Sequence, residues 1–525
     1  MTDNKNTILA IALSALVLIA WQYFYGIPNE KARQEQLQQQ QLKQTAQSTT
    51  TQPGQAAQPN QPQPQGIAPP TPGAAQTAAP ASMPRADALA ASPRVPIDTP
   101  SIRGSINLKG ARIDDISLVK FRETVDPKSP PVVLLSPSGS PDPFYAEFGW
   151  TGASGASVKL PTADTVWTQE GSGALGVGRP VTLTWNNGAG LIFRRIISID
   201  DEYMFSVKQE VVNKSANPVT LFPYALVSRH GTPKTLGYYL LHEGLVGVLG
   251  DKGLQEMTYK KMEDLKPDAQ GNRQETFDVT NGWLGITDKY WAAALVPDTT
   301  ARLKARFTFD PAAGGAKERY QTDYLLNSVT IAPGATGTVD GRLFAGAKEV
   351  SVVGVSFPVG GVGGYNDALH LNHFDLLIDW GWFYFITKPM FIVIDWLYRV
   401  VGNFGIAILL VTLLIKAIFF PLANKSYASM AKMKAVQPQM KALRERFPDD
   451  KVKQQQELMA LYKKEKINPI AGCLPIAIQI PVFYALYKVL YVTIEMRHAP
   501  FFGWIHDLSA PDPTNVFTLF GLLQY

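Results

Sequence analysis

A lysine in the middle of an apolar run is the first place in this chain where position alone forces a chemical question. From Phe404 to Leu422 the sequence reads FGIAILLVTLLIKAIFFPL, and Lys416 is its only charge. Such a run crosses a hydrocarbon core of roughly 30 Å at about 1.5 Å per residue. An ammonium at that depth costs on the order of 2.5 to 3.5 kcal/mol on insertion scales, so it implies a wet cavity or a partner. The competing reading is a side chain that snorkels to the nearer headgroups, since Leu422 is only six residues away. Thr412 lies one turn before Lys416 and Phe419 and Phe420 one turn after, so a hydroxyl and aromatics share its stripe. A second apolar run, from Ile467 to about Ile494, holds Gln479 near its middle with Pro475 and Pro481 on either side. Each proline is expected to leave a carbonyl without its helical donor, which marks either a hydrated, deformable face or a kink packed among neighbours. The chemistry available to Lys416, Thr412 and Gln479 is attraction and wetting of a polar segment, with no bond made or broken.

Between these runs lies a basic segment, 423–466, with eleven Lys and Arg against five Asp and Glu, a local charge of +6. Met430, Met433, Met440, Leu443 and Phe447 fall at helical spacing, and Asp449 and Asp450 after Pro448 restart a second helix carrying Val452, Met459 and Tyr462. A helical hairpin is predicted. Its methionine stripe, flanked by Lys432, Lys434, Lys441 and Arg444, is either ordinary core or an adaptable docking surface. The segment 495–515 has only Arg497 as a fixed cation, so the positive-inside rule puts the hairpin in the cytoplasm and 495–515 outside.

Those groups need elements to hold them. Ile8 to Tyr25 is an apolar run ending in Trp21, Tyr23, Phe24 and Tyr25, read as an uncleaved anchor over 1–29 in preference to a signal peptide. A Gln/Pro/Ala-rich stretch, 30–97, is predicted to be a disordered tether. From 98 to 356 short runs of β-formers alternate with Gly, Pro, Asn and Asp, with a hairpin turn at Asn186 to Gly190, and a large antiparallel β-sandwich follows. Residues 357–402 form a connector rich in aromatics. Pro389 is placed in the first turn of a short amphipathic helix, Met390 to Val401, lying either in the membrane interface or on the β-domain, with Asp395 and Arg399 one turn apart. The remaining core is divided as span 403–422, hairpin 423–466, span 467–494, outer loop 495–515 and the start of a further span, 516–525, which suggests truncation at the carboxyl end.

Composition removes some classes. The net charge is +5 with no uniformly basic face and no zinc-like or RNA-recognition motif, which argues against sequence-specific nucleic-acid binding. The one cysteine, Cys473, sits in an apolar run and reads as packing. In the β-domain His230, His242, Glu243 and Asp251 are the only local acid/base group that includes histidine, and without a metal or nucleophile spacing they are weak grounds for catalysis. Nothing calls for a cofactor. A membrane-tethered carbohydrate-binding or carbohydrate-active protein, or a transporter, stands as the alternative to the reading below.

The segments GNFGIAILLVTLLIKAIFFPL from Gly402, SYASMAKMKAVQPQMKALRERFPDD from Ser426, INPIAGCLPIAIQIPVFYALY from Ile467 and APFFGWIHDLSAPDP from Ala499 resemble the YidC family of bacterial membrane protein insertases, in its form with a large periplasmic domain. The resemblance covers nearly the whole chain. It implies an inner-membrane protein with an α-helical insertase core and a periplasmic β-supersandwich similar to sugar mutarotases, without implying their activity. It also implies an interfacial helix, a cytoplasmic hairpin that docks the ribosome or the client, and a hydrophilic groove open to cytoplasm and lipid. Clients would be nascent membrane proteins, used alone or with the Sec translocon. The family usually has arginine where this chain has Lys416, which keeps the charge and loses the bidentate fork.

Overall fold

The computed structural model describes residues 82–510 except 153–157, 235–240, 270, 312–316, 356–360, 449, 466–473 and 504. The anchor expected over 1–29, most of the tether, Cys473 and the run 516–525 lie outside the described residues.

Two antiparallel sheets form the β-domain. In the first, the strand order is 94–98, 102–107, 112–122, 144–152, 219–230, 319–326, 302–310 and 273–280, with 131–135 and 329–331 attached at the side. In the second it is 254–258, 244–249, 282–287, 291–297, 336–347, 204–213, 191–199, 181–186 and 168–170. The hairpin expected around Asn186 is present, with Trp185 opposite Phe193. Strand Leu191–Ile199 buries every second residue, as a strand with one face on a core must. The sandwich begins earlier than 98, because Arg85–Ala90 is a helix and Arg94–Asp98 is the first strand. Arg85 pairs with Asp115 and Arg94 with Asp114, while Val95 and Ile97 are buried, so the end of the Pro-rich stretch has partners its composition did not advertise.

The strands Gly244–Leu249 and Gly282–Thr287 are buried at every position. One face meets the other sheet. The other face is covered by the chain that leaves the β-domain, where Trp283 packs edge-on against Phe374 at 5.3 Å and donates its indole N–H to the Asn372 carbonyl. The sandwich core therefore continues into the connector.

Among the described residues, five helices of ten residues or more follow the β-domain. Helix α1 spans Tyr384–Val401, α2 Phe404–Ala435, α3 Gln437–Arg446, α4 Lys451–Lys464 and α5 Leu474–Val492. Helix α1 starts six residues before the predicted Met390 and contains Pro389 in its interior, so the first-turn placement was wrong. Thr387 and Lys388 are buried in that earlier part and supply the packing that pattern reading from Met390 onward left out. Asp395 and Arg399 do form the expected pair one turn apart, at 2.9 Å. Gly402 ends α1 in the left-handed region, and the Asn403 side chain accepts the Ile406 N–H to start α2. The rings of Tyr398 and Phe404 stack at 3.6 Å across this corner.

The apolar run and the first arm of the hairpin form one continuous helix across residue 422. Pro421 removes the donor for the Ala417 carbonyl, but the residues after it are good helix formers and α2 continues to Ala435, about 48 Å in all. Helices α2 and α5 are long and apolar enough to cross a membrane. Gly405 of α2 admits the Phe501 ring so closely that a Cβ there would fall 2.0 Å from it.

The β-domain meets the end of α5 through polar contacts. Arg497 donates to the Arg122 carbonyl at 2.6 Å and lies over the rings of Tyr290 and Trp291, and Lys289 lies 3.7 Å from the Tyr491 ring centre. Glu495 accepts the Val350 N–H at 2.7 Å, and burial pushes its carboxyl up to about 7. The native state thus holds a proton between about pH 4.5 and 7 that the unfolded chain has released, so this group makes stability fall as pH rises through that window. Burial pushes His230 and His242 down to about 4, which acts in the opposite direction below pH 6.5. The difference between wild type and Glu495→Gln isolates the carboxyl. We expect wild type to lose about 3 kcal/mol relative to this variant between pH 5 and 8. Thermal melts of the detergent-solubilised proteins at pH 5, 6, 7 and 8 check it; a constant gap would refute it.

Candidate functional site

Lys416 projects from α2 with an exposed side chain, and its ammonium stands 5.5 Å from the centre of the Phe483 ring of α5. No carboxylate among the described residues lies within ion-pairing distance of it. The aromatic that meets the lysine thus comes from the neighbouring span. Phe419 and Phe420, expected on its stripe, are partly and largely exposed respectively. Gln479 is one helical turn before Phe483 and partly exposed, so Lys416, Phe483 and Gln479 share the seam between α2 and α5. Thr412 donates its hydroxyl to the Ile408 carbonyl at 2.8 Å, leaving only its acceptor side for wetting the seam.

The two prolines differ in consequence. Pro481 lies inside α5 and deprives the Ala477 carbonyl of its donor. Pro475 follows the first described residue of the helix, in a turn where an N–H has no intrahelical acceptor, so within the described residues it breaks nothing. Around the seam Leu409, Leu413, Ile418, Ile476, Ile480 and Phe483 are exposed by more than half, an apolar surface suited to lipid.

At the hairpin the methionine stripe is divided between helices. Met430 and Met433 are on α2, and Met440 is on α3 beyond a break at Val436. Met430 is half exposed, whereas Met440 accepts the Tyr462 hydroxyl through its sulfur at 3.7 Å and so serves the α3–α4 contact. Lys432, Lys434, Lys441 and Arg444 are exposed. Asp450 caps α4 by accepting the Lys453 N–H at 2.9 Å, as its position after Pro448 predicted. On α4 the residues Val452, Gln456, Met459 and Lys463 line a shallow apolar hollow.

The rival group in the β-domain is not one site. His230 faces Tyr145, with 3.4 Å between ring nitrogen and hydroxyl. His242 gives its backbone N–H to Asp379 at 2.8 Å and its ring Nε2 contacts the Leu245 carbonyl, Glu243 accepts the Lys289 N–H, and Asp251 pairs with its neighbour Lys252.

Sequence reasoning missed two lysines. Lys388 of α1 and Lys488 of α5 are both buried in apolar helices, and each reaches a carboxylate of the connector: Lys388 pairs with Asp375, and Lys488 donates to Asp379 Oδ2 at 2.7 Å. The sequence marks the four charges, a lysine inside each of two apolar runs and two aspartates four residues apart ahead of Lys388, but not that they meet.

Two family models match. One, the YidC periplasmic domain, covers residues 94–393, and the other, the 60Kd inner membrane protein, covers 396–525. The chain belongs to the YidC family of membrane protein insertases. It is 63% identical over 525 residues to the membrane protein insertase YidC of Bradyrhizobium diazoefficiens, covering all of this chain and 83% of that protein. The corresponding protein of Nitrobacter hamburgensis is 61% identical, with 82% of its length covered, and that of Brucella melitensis 50%, with 83% covered. The β-domain also matches a galactose mutarotase related enzyme from Lactobacillus acidophilus at 11% identity and a TM-score of 0.31, over 48% of this chain and 97% of that one. That likeness is too distant to bear on activity. For a YidC protein, the two sheets are the periplasmic domain and the apolar helices belong to the inner-membrane part.

Gly381 closes the connector under α5. It sits at φ +71°, and a Cβ there would come 3.2 Å from Lys488 Cε and 3.2 Å from the Tyr484 hydroxyl. Gly381→Ala combines left-handed strain with crowding and is expected to cost about 1–2 kcal/mol, lowering the melting temperature by roughly 2–4 °C. A melt equal to wild type would show that the connector relaxes without loss.

Proposed function

We propose that the seam between α2 and α5 is the place where this chain receives a client segment, and that Lys416 is its electrostatic attractor. The observation that carries the reading is an exposed ammonium in an apolar helix, facing an aromatic ring and no described carboxylate. A short polar or acidic segment of a nascent membrane protein enters the seam, where Lys416 offsets its charge and Gln479 and Thr412 offer hydrogen bonds. The client's apolar helix then leaves sideways across the exposed Leu, Ile and Phe surface into lipid, driven by burial at roughly 25 cal/mol per Å². Pro481 supports this role by removing one helical hydrogen bond, at the Ala477 carbonyl, which lets α5 deform beside the seam.

The same reading sets orientation and partners. The hairpin 423–466, at +6, lies in the cytoplasm by the positive-inside rule, and the β-domain lies in the periplasm. The exposed Met430, Lys432, Lys434, Lys441 and Arg444, together with the hollow on α4, form the surface for the ribosome or for the client as it emerges. Sec translocon components are further partners, met through the membrane part.

Complementation of insertase-depleted cells by the full-length protein carrying Lys416→Arg, Lys416→Ala or Lys416→Glu tests the attractor. Insertion of a small acidic-tailed client is read by protease protection. Arg is expected to support insertion, Ala to reduce it about tenfold, equivalent to about 1.4 kcal/mol of lost charge attraction, and Glu to reduce it further by adding repulsion. Normal insertion by all three would make Lys416 a snorkelling residue and sink the reading.

A further inference from the structure

A lysine that is almost wholly buried near the β-domain end of a membrane span needs an explanation beyond packing. Lys488 is 2% exposed, and its ammonium donates to Asp379 Oδ2 at 2.7 Å. That oxygen also accepts the N–H of His242 from the β-domain at 2.8 Å, and the other accepts the Gly381 N–H at 3.0 Å. Asp379 therefore ties three elements to one another: the β-domain loop, the connector turn and α5. Four residues earlier Asp375, wholly buried, pairs with Lys388 of α1, and its backbone carbonyl accepts the Trp380 indole N–H. The connector thus supplies one carboxylate to each of the two helices that flank α2, which α1 and α5 both contact.

The spacing along α5 links this tie to the seam. Phe483 precedes Lys488 by five residues, about 7.5 Å along the axis, and Tyr484 between them packs on Phe383 at the start of α1, with ring centres 5.5 Å apart. A slide or rotation of α5 that withdrew Phe483 from Lys416 would pull Lys488 from Asp379. Broken, the pair leaves a charge buried without a counter-charge, which is strongly unfavourable. Replacing both partners by apolar groups removes that penalty and also removes the signal that specifies the register.

We propose that Lys488 is a positioning residue for insertion: held by Asp379, it fixes the register of α5 against the connector and the β-domain, so that Phe483 and Gln479 are presented to Lys416. The proposal rests on the reading of Lys416 as the client attractor. It differs from a packing role in what it predicts when folding is spared.

The test uses the full-length protein in the complementation assay and, purified into nanodiscs, with spin labels at Leu409 of α2 and Ile480 of α5. Lys488→Ala and Asp379→Ala are each expected to lower insertion of the acidic-tailed client about tenfold. Lys488→Arg is expected to retain it. The apolar pair Lys488→Met with Asp379→Leu guards against simple misfolding. It should reach wild-type abundance in the membrane, still insert the client several-fold more slowly, and show a broadened label distance where wild type gives a narrow one. Wild-type insertion with an unchanged distance in the apolar pair would overturn the proposal and reduce Lys488 to a folding contact. If Lys416→Ala inserts normally, the attractor reading fails instead, and the label distances alone then decide whether the tie fixes register.

Discussion

An ammonium taken out of water must find a counter-charge or keep a path back to water, and the helical part of this protein is arranged around how three lysines meet that demand. Lys388 and Lys488 are buried and paired with Asp375 and Asp379. Lys416 is exposed in the seam and, among the described residues, meets a ring and no carboxylate. The paired lysines are worth little as net stability, because desolvating both charges consumes most of their attraction. Their value is in forbidding alternatives. An apolar helix has no intrinsic register against its neighbours in lipid, where side chains such as Leu and Ile are equally at home on any face. A buried charge that has one acceptable partner supplies that register.

The same pairs explain why the β-domain and the helices cannot be treated as separate folding problems. Strands 244–249 and 282–287 are buried at all positions because the connector covers the face that the first sheet does not. That connector carries Phe374 into the Trp283 and Phe344 ring cluster and, one residue later, Asp375 toward α1. Apolar packing fixes the connector on the sandwich, and the two carboxylates then dictate where α1 and α5 emerge. Glu495 and Arg497 repeat the arrangement just past the same end of α5, where a carboxyl accepts a backbone N–H of the β-domain and a guanidinium donates to two of its carbonyls.

How much of this was legible in sequence follows from the range of the interactions. Period-two alternation and turn residues expose the sandwich because each strand's pattern is local, as Leu191–Ile199 illustrates. An apolar run with a lone charge identifies Lys416 by itself. That α2 runs unbroken from the apolar run into the hairpin was not legible because hydropathy and charge mark the two stretches separately, and Pro421, one missing donor among good helix formers, does not end the helix. Helix α1 was started too late because Pro389 suits a first turn, whereas the helix begins at Tyr384 and carries the proline inside. The ties were out of reach because Asp379 and Lys488 are 109 residues apart, and no pattern within either segment says that they meet. The family resemblance carried the function further than any residue pattern did, and it too was silent about Lys488.

The contrast between a ring and a carboxylate as partner bears on why the seam lysine is useful. A cation over an aromatic face gains about 0.5 to 2 kcal/mol and keeps its charge uncompensated. A carboxylate at the same position would neutralise it. Phe483 therefore holds the Lys416 ammonium in place weakly enough that an incoming carboxylate displaces it, and the lysine's flexible four-carbon stem lets the charge follow a moving segment in a way the planar fork of arginine would restrict. Neutralising Lys388 and Lys488 permanently while leaving Lys416 with a soft partner assigns the buried charges to structure and the exposed one to traffic. That division depends on α5 staying where Asp379 holds it.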